Sequence, residues 1–230
     1  MALFAHWSGV PIAREGHVHS DRLGRGWCWR IPLPGRVSLG IVVDPAILRA
    51  LGDTAEDQYD AFLRSEPHLT RLTAEGQRLT PVVKFNNYQL TSLRGVGPGW
   101  ALVGDAFGFI DPVFSSGVFL ALDGARNLAR AILAGTPAAL RRYERHQARH
   151  IEAWRNAITT FYDGRFVALF RSGEEAAQSG IGRVLAPHIS KHVARVFTGE
   201  GTTSGYSRWL LGFASRHALG DYDPDQYRIN

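Results

Sequence analysis

The sequence predicts an α+β (α/β) chain with a mostly antiparallel sheet and a helical second half. Three observations carry this prediction. From Met1 to about Gln89, β-favouring runs alternate with Gly/Pro turn clusters. A short apolar run, Trp100 to Val103, reads as a buried strand and stops at Gly104-Asp105, where a Gly/Pro/Ser loop begins. Two long stripes of helical period follow that loop.

In chain order, Leu3-Phe4-Ala5-His6-Trp7 is the first strand. Trp27, Trp29 and Ile31 alternate, so in a strand they share one face, and Pro32 and Pro34 push the chain to a sheet edge or turn. Val37 to Val43 is a further strand. One helix interrupts: Thr54 and Asp57 make a capped start, Tyr59, Phe62 and Leu63 form its stripe, and Pro67 marks its end. Val82-Val83-Lys84-Phe85 resumes the sheet, with Lys84 read as a surface or edge cation.

A long apolar helix opens near Ser116-Gly117. It places Val118, Leu122, Ala125, Leu128, Ala129 and Ile132 on one face, with Gly135 suited to its end. Small residues Ala121 and Ala125 allow close packing against a sheet. Thr136-Pro137 starts a second helix, with the stripe Leu140, Tyr143, Ile151, Trp154, Ile158 and Phe161. The remainder reads as helical, ending in a polar tail. The expected segments are 1–95, 96–135 and 136–230.

Composition excludes several classes. The 230 residues can bury a sizeable core, and no apolar run reaches bilayer-spanning length. No basic n-region precedes an apolar stretch, so no signal peptide is read. The single cysteine, Cys28, rules out an internal disulfide, fits a reducing cytoplasm, and is assigned a packing role between two tryptophans. The net charge of +5 is almost all arginine, since lysine occurs only at Lys84 and Lys191. Arg141, Arg142, Arg145, Arg149 and Arg155 cluster around His146 and His150, offset by Glu144 and Glu152. They are read as a solvated helix face rather than a nucleic-acid surface. His146 and His150 have metal-compatible i,i+4 spacing, but no acidic H-E-x-x-H partner and two arginine neighbours; no metal is assigned.

The segment Gly99 to Gly117 holds the candidate chemistry. Strand, acidic turn, loop and helix start together suit an electron-rich cofactor. The Asp105 carboxylate can accept hydrogen bonds from sugar-like hydroxyls, and the N–H groups at the helix start near Ser116 and Gly117 can face an anion or a polarised ring edge. No nucleophile elbow, Walker loop or paired-cysteine zinc spacing occurs.

Two finer patterns narrow this reading. Phe109, Pro112, Ser115 and Gly117 satisfy F-x-x-P-x-x-S-x-G, and Trp27, Trp29, Ile31 and Pro32 satisfy W-x-W-x-I-P. Both resemble signatures of the flavin-dependent halogenases of the FAD-dependent monooxygenase superfamily, tryptophan and phenolic halogenases among them. The resemblance covers roughly the first two-thirds of the chain. It implies that Gly104, Asp105, Phe109, Pro112, Ser115, Ser116 and Gly117 contact FAD, that Ser116 and Gly117 hold a halide, and that Trp27 and Trp29 line the substrate pocket. In such proteins reduced flavin comes from a separate flavin reductase, and an aromatic substrate is halogenated with oxygen. The family's N-terminal Rossmann βαβ unit, with G-x-G-x-x-G, and its catalytic lysine have no match here. The chain is therefore expected to be the C-terminal portion of such an enzyme, working in the cytoplasm with its N-terminal half, without nucleic acid or membrane. A piece of an FAD-dependent hydroxylase or reductase, or a non-catalytic remnant serving as an interaction module, is the alternative.

Overall fold

The computed structural model describes residues 1–86 and 89–166, with a few single positions beyond them. These fall into two compact units, one ending near position 87 and the other beginning near position 88.

The first unit is an antiparallel sheet with helices on one face. Its strands are β1 (Ala2–Ser8), β2 (His19–Leu23), β3 (Gly26–Leu33), β4 (Arg36–Val43), β5 (Gln77–Arg78) and β6 (Val83–Phe85). Their order is β2-β3-β4-β1-β5, and β6 pairs with the other end of β1. The register Leu33↔Arg36 leaves Pro34-Gly35 as a two-residue turn. Pro32 lies beyond the last β2 pair, His19↔Arg30, so its missing N–H costs no ladder bond there.

Three helices follow: α1 (Pro45–Arg49), α2 (Ala55–Ser65) and α3 (Pro67–Thr73). The sequence predicted only α2 in this stretch. Asp44 starts α1 by accepting from the Ala46 N–H at 2.6 Å, and Pro67 both ends α2 and occupies the first turn of α3. The predicted cap of α2 is present: Thr54 Oγ1 accepts from the Asp57 N–H at 3.1 Å. Tyr59, Phe62, Leu63, Leu69 and Leu72 pack with Leu3, Ala5, Cys28, Leu39 and Ile41 in one core. Each large side chain buried there contributes about 1.5–3 kcal/mol. The Tyr59 hydroxyl accepts from Trp7 Nε1 at 3.1 Å and donates to the Leu39 carbonyl at 2.9 Å, so its burial leaves no polar atom orphaned.

The second unit opens with a hairpin, β7 (Val96–Gly97) and β8 (Trp100–Ala101). Two single-turn 3-10 helices follow, Gly104–Ala106 and Pro112–Phe114, and then α4 (Gly117–Ala134) and α5 (Pro137–Tyr162). Gly135, at φ +64°, ends α4, and Thr136 Oγ1 accepts from the Ala139 N–H at 3.2 Å to start α5, both as predicted. The short connection makes the helices antiparallel neighbours, with Gly124 of α4 against Gln147 of α5. On α5 the buried positions are Tyr143, Gln147, His150, Ile151, Trp154, Ile158 and Phe161. The Phe114 ring sits among Trp154, Phe161 and Phe166 at centroid distances of 6.2, 5.8 and 4.9 Å. Most of the predicted C-terminal helical region lies outside the described residues. No described helix is long and apolar enough to cross a membrane.

Two expectations are corrected. The strand predicted over Trp100–Val103 is confined to Trp100–Ala101 and is not buried; Trp100 is 45% exposed. A two-residue hairpin has no further strand beside it to cover its face. The apolar stripe predicted on α4 is also not its buried side. Val118, Leu122 and Ile132 are 73%, 67% and 61% exposed, whereas Leu120, Gly124 and Ala131 are buried. The small Gly124 lets α5 approach closely on that side, and nothing among the described residues covers the stripe.

Candidate functional site

In the second unit the candidate loop is built from three anchored points. Gly104 has φ +59°, and a Cβ there would stand 3.2 Å from the Ala121 Cβ of α4. Both the left-handed backbone and the close helix therefore favour glycine. This turn fixes Asp105 on the surface, with Oδ1 4.0 Å from where a Cβ on Gly117 would lie. The acidic turn and the start of α4 are thus neighbours, although 12 positions apart in sequence.

The segment between them is held by backbone bonds and one carboxylate. Phe109 N–H donates to the Leu90 carbonyl at 2.7 Å. Asp111 is buried and accepts from the Tyr162 hydroxyl at 2.6 Å, the Val113 N–H at 3.1 Å and Gln89 Nε2 at 3.4 Å. Asp111 therefore organises the loop from below, and Pro112 opens the 3-10 turn above it. The link from Asp111 to Tyr162 of α5 joins positions 51 apart and is visible only in three dimensions.

The 3-10 turn ends in Ser115 at φ +53°, ψ +33°, the one non-glycine residue with positive φ among those described. A left-handed L-residue costs on the order of 1–2 kcal/mol, and backbone outliers of this kind cluster at ligand clamps. Its effect is to turn Ser116 inward. Ser116 is 3% exposed and its Oγ has no hydrogen-bond partner among the described residues. Its carbonyl accepts from Leu120 N–H at 3.0 Å, opening the 18-residue α4, yet no side chain caps that helix. An uncapped N-terminus presents N–H groups and the positive end of the helix dipole. Next to Gly117, which carries no side chain, this is a place for an anion or an electron-rich ring edge.

The first unit carries the other predicted pair. Trp27 and Trp29 share the sheet face opposite the helix-covered core, their rings 5.7 Å apart. The register puts Trp29, Gly40 and Phe4 in one row and Trp27, Val42, Ala2 and Phe85 in the next. Phe4 lies 5.9 Å from Trp29 and stacks with Phe85 at 6.2 Å. Trp29 Nε1 donates to Ser38 Oγ at 3.1 Å. A Cβ on Gly40 would stand 2.1 Å from the Trp29 ring, so the ring lies flat on the strand because residue 40 is glycine. Phe4 and Phe85 were not singled out from sequence; for Phe4, its alternation with the core residues Leu3 and Ala5 of β1 was the available signal.

Other assignments resolve simply. Cys28 is fully buried, and desolvation pushes its thiol far above the usual cysteine range, as befits a packing residue. Lys84 donates to Gln58 Oε1 at 3.0 Å. Arg141, Arg142, Arg145, Arg149 and Arg155 are solvent-exposed.

Comparison with known proteins follows the same residues. The family profile described as tryptophan halogenase matches residues 15–166. The tryptophan 2-halogenase of Chondromyces crocatus is 29% identical over 197 residues, covering 79% of this chain and 38% of that protein. The sulochrin halogenase of Aspergillus terreus is 32% identical over 150 residues, covering 58% of this chain and 27% of that protein. Among solved structures, a myxobacterial chondrochloren halogenase aligns with TM-score 0.63 and 32% identity over 70% of this chain and 40% of that one. A flavin-dependent brominase aligns over 98% of this chain and 56% of its own, with TM-score 0.75 and 21% identity, a likeness of fold. The chain thus spans well under two-thirds of the length of these relatives.

Proposed function

Given that this chain belongs to the tryptophan halogenase family, we propose that it supplies the halide- and substrate-side elements of an FAD-dependent halogenation of an aromatic compound. These residues correspond to 38% of the tryptophan 2-halogenase they match, and the reading concerns the elements they supply to the reaction of the whole protein. The observation that carries this reading is the arrangement at Ser115–Gly117. A left-handed serine precedes a buried, unpartnered Ser116 hydroxyl at an uncapped helix start, with Asp105 beside Gly117.

These residues fit a flavin. Ser116 Oγ needs a partner, Gly117 leaves room for a flat edge, and the Asp105 carboxylate accepts from ribityl-like hydroxyls. FAD bound here would supply the oxygen-activating redox chemistry, in its reduced form delivered by a flavin reductase. The chain's own work is positional. The N–H groups at the start of α4, helped by the helix dipole, hold the halide. Asp111 and Pro112 keep the loop rigid, and left-handed Ser115 aims the serine that follows. Trp29, half-buried and backed by Phe4 and Phe85, offers an apolar surface to an aromatic substrate, and Trp27, 2% exposed, packs beside it.

The test is reconstitution with a family-like N-terminal half, a flavin reductase, oxygen and bromide. The expected product, read by mass spectrometry, is a brominated electron-rich aromatic. Asp105→Ala weakens flavin binding by about 1.5–3 kcal/mol for each hydrogen bond lost. Ser116→Ala removes the hydroxyl offered to the flavin and weakens flavin binding, while the backbone N–H groups that hold the halide remain, so halide use per bound flavin stays near its starting value. Proline is unsuitable at this position, since the residue before proline avoids α-type ψ and Ser115 has ψ +33°. A hydroxylated product without halogen would transfer the assignment to a monooxygenase.

A further inference from the structure

Away from that loop, α4 and α5 meet in a cluster of three ligating side chains. His146 and His150 stand one turn apart on α5, so their imidazoles share a face. The sequence offered them no carboxylate at motif spacing; antiparallel packing brings Asp123 of α4 to them instead. Its Oδ2 lies 2.9 Å from His146 Nε2 and 3.4 Å from His150 Nδ1. The three donor atoms fall within 4.8 Å of one another.

We propose that Asp123, His146 and His150 bind a divalent transition ion of the zinc type, independently of the flavin chemistry. Metal–ligand bonds of about 2.0–2.1 Å in a tetrahedron set neighbouring donor atoms roughly 3.3 Å apart. The two measured separations bracket that value. Two imidazoles and a carboxylate form a borderline donor set that suits zinc better than calcium or magnesium. His146 Nε2 also faces the Asn127 amide nitrogen at 3.3 Å. That amide requires a lone pair on the ring nitrogen, whereas the carboxylate requires a proton there. A cation beside the lone pair removes the conflict, because Asn127 Nδ2 keeps its bond to the Asp123 carbonyl at 2.8 Å.

Access and charge agree with this assignment. The His146 side chain is 39% exposed, Asp123 19% and His150 2%, so the cluster is anchored in the helix pair and opens to solvent for entry and a fourth, water ligand. Arg145 and Arg149 are exposed, where water and salt screen their repulsion. The comparable trio Asp21, Cys28 and His68 in the first unit lacks these properties. There Arg30 already bonds the Asp21 Oδ2 at 2.9 Å, and burial keeps the Cys28 thiol protonated. A bound ion would fasten Asp123, two turns into α4, to the middle of α5.

Titration of untagged, metal-stripped full chain with Co2+ provides the test. The expected result is one equivalent bound, with the intense visible bands of a tetrahedral site that Zn2+ then displaces. His146→Gln, at a half-exposed position, retains the native circular dichroism and loses the bands. Its affinity falls by more than the roughly 10–100-fold that a lost outer-shell partner costs. Asp123→Asn gives the same loss. Absence of tetrahedral bands in the parent chain, or bands that persist unchanged in His146→Gln, would overturn the proposal.

Discussion

Substituting Gly40 by alanine isolates the contact that shapes the tryptophan face. The new Cβ would stand 2.1 Å from Trp29 Cζ2 and 2.2 Å from Cε2, so the ring must retreat by roughly 1.4 Å to reach ordinary van der Waals contact. It has little freedom to do so, with Trp27 at 5.7 Å, Phe4 at 5.9 Å and its Nε1 bound to Ser38. Overpacking costs about 1–3 kcal/mol. Loss of the indole–Ser38 bond adds about 0.5–1.5 kcal/mol. The strand gains about 0.5–1 kcal/mol from replacing glycine. The net loss is about 2 kcal/mol, and a unit of this size shifts its melting midpoint by roughly 4–8 °C per kcal/mol. In a Trp29→Val background the clash is gone and only the propensity gain remains, so the same Gly40→Ala change becomes stabilising. Thermal melts of the four proteins, followed by far-UV circular dichroism, measure this coupling. Gly40→Ala effects of equal sign and size in the two backgrounds would refute the claim that Trp29 lies on the glycine.

Asp111→Asn keeps the shape but weakens the bonds from Tyr162, Val113 and Gln89 by about 1.5–3 kcal/mol in total. Amide hydrogen exchange should then accelerate in the 108–116 loop and stay unchanged in the sheet unit; a protected loop would show that Asp111 does not organise it. Desolvation pushes the Tyr143 phenol up to about 12 from its usual 10, and its hydroxyl donates to the Leu102 carbonyl. The folded state therefore prefers the neutral phenol, and this stabilisation is complete below pH 10 and is lost as pH rises towards 12. Melting midpoints of the parent should fall more steeply over that window than those of Tyr143→Phe, and parallel curves would count against the assignment. Val118, Leu122, Ile132 and Leu133 leave an apolar stripe on α4 uncovered, and such patches drive association. Size exclusion with light scattering should show self-association of the parent and less of it in Leu122→Lys/Leu133→Glu; a monomeric parent that binds no hydrophobic dye would contradict this.

Local chemistry was legible in the chain itself. Thr54, Gly135 and Thr136-Pro137 place helix ends because a cap involves residues only a few positions apart. The alternation of Trp27 and Trp29 placed them on one face, because strand period is a property of the backbone. The end of the apolar run Trp100–Val103 marked the acidic turn, and the pattern Phe109, Pro112, Ser115 and Gly117 led to the helix start. Pairings across long separations were not legible. Gly40 beneath Trp29, Phe4 and Phe85 in the aromatic rows, Tyr162 on Asp111, and Asp123 between two histidines all depend on which elements dock and in what register. The α4 stripe shows why periodicity alone falls short. Apolar residues recurring every three or four positions mark one side of a helix, but the buried side is the one a neighbour can approach. Here α5 lies against Gly124, where the absence of a side chain lets the two helices come together, and the apolar stripe remains open.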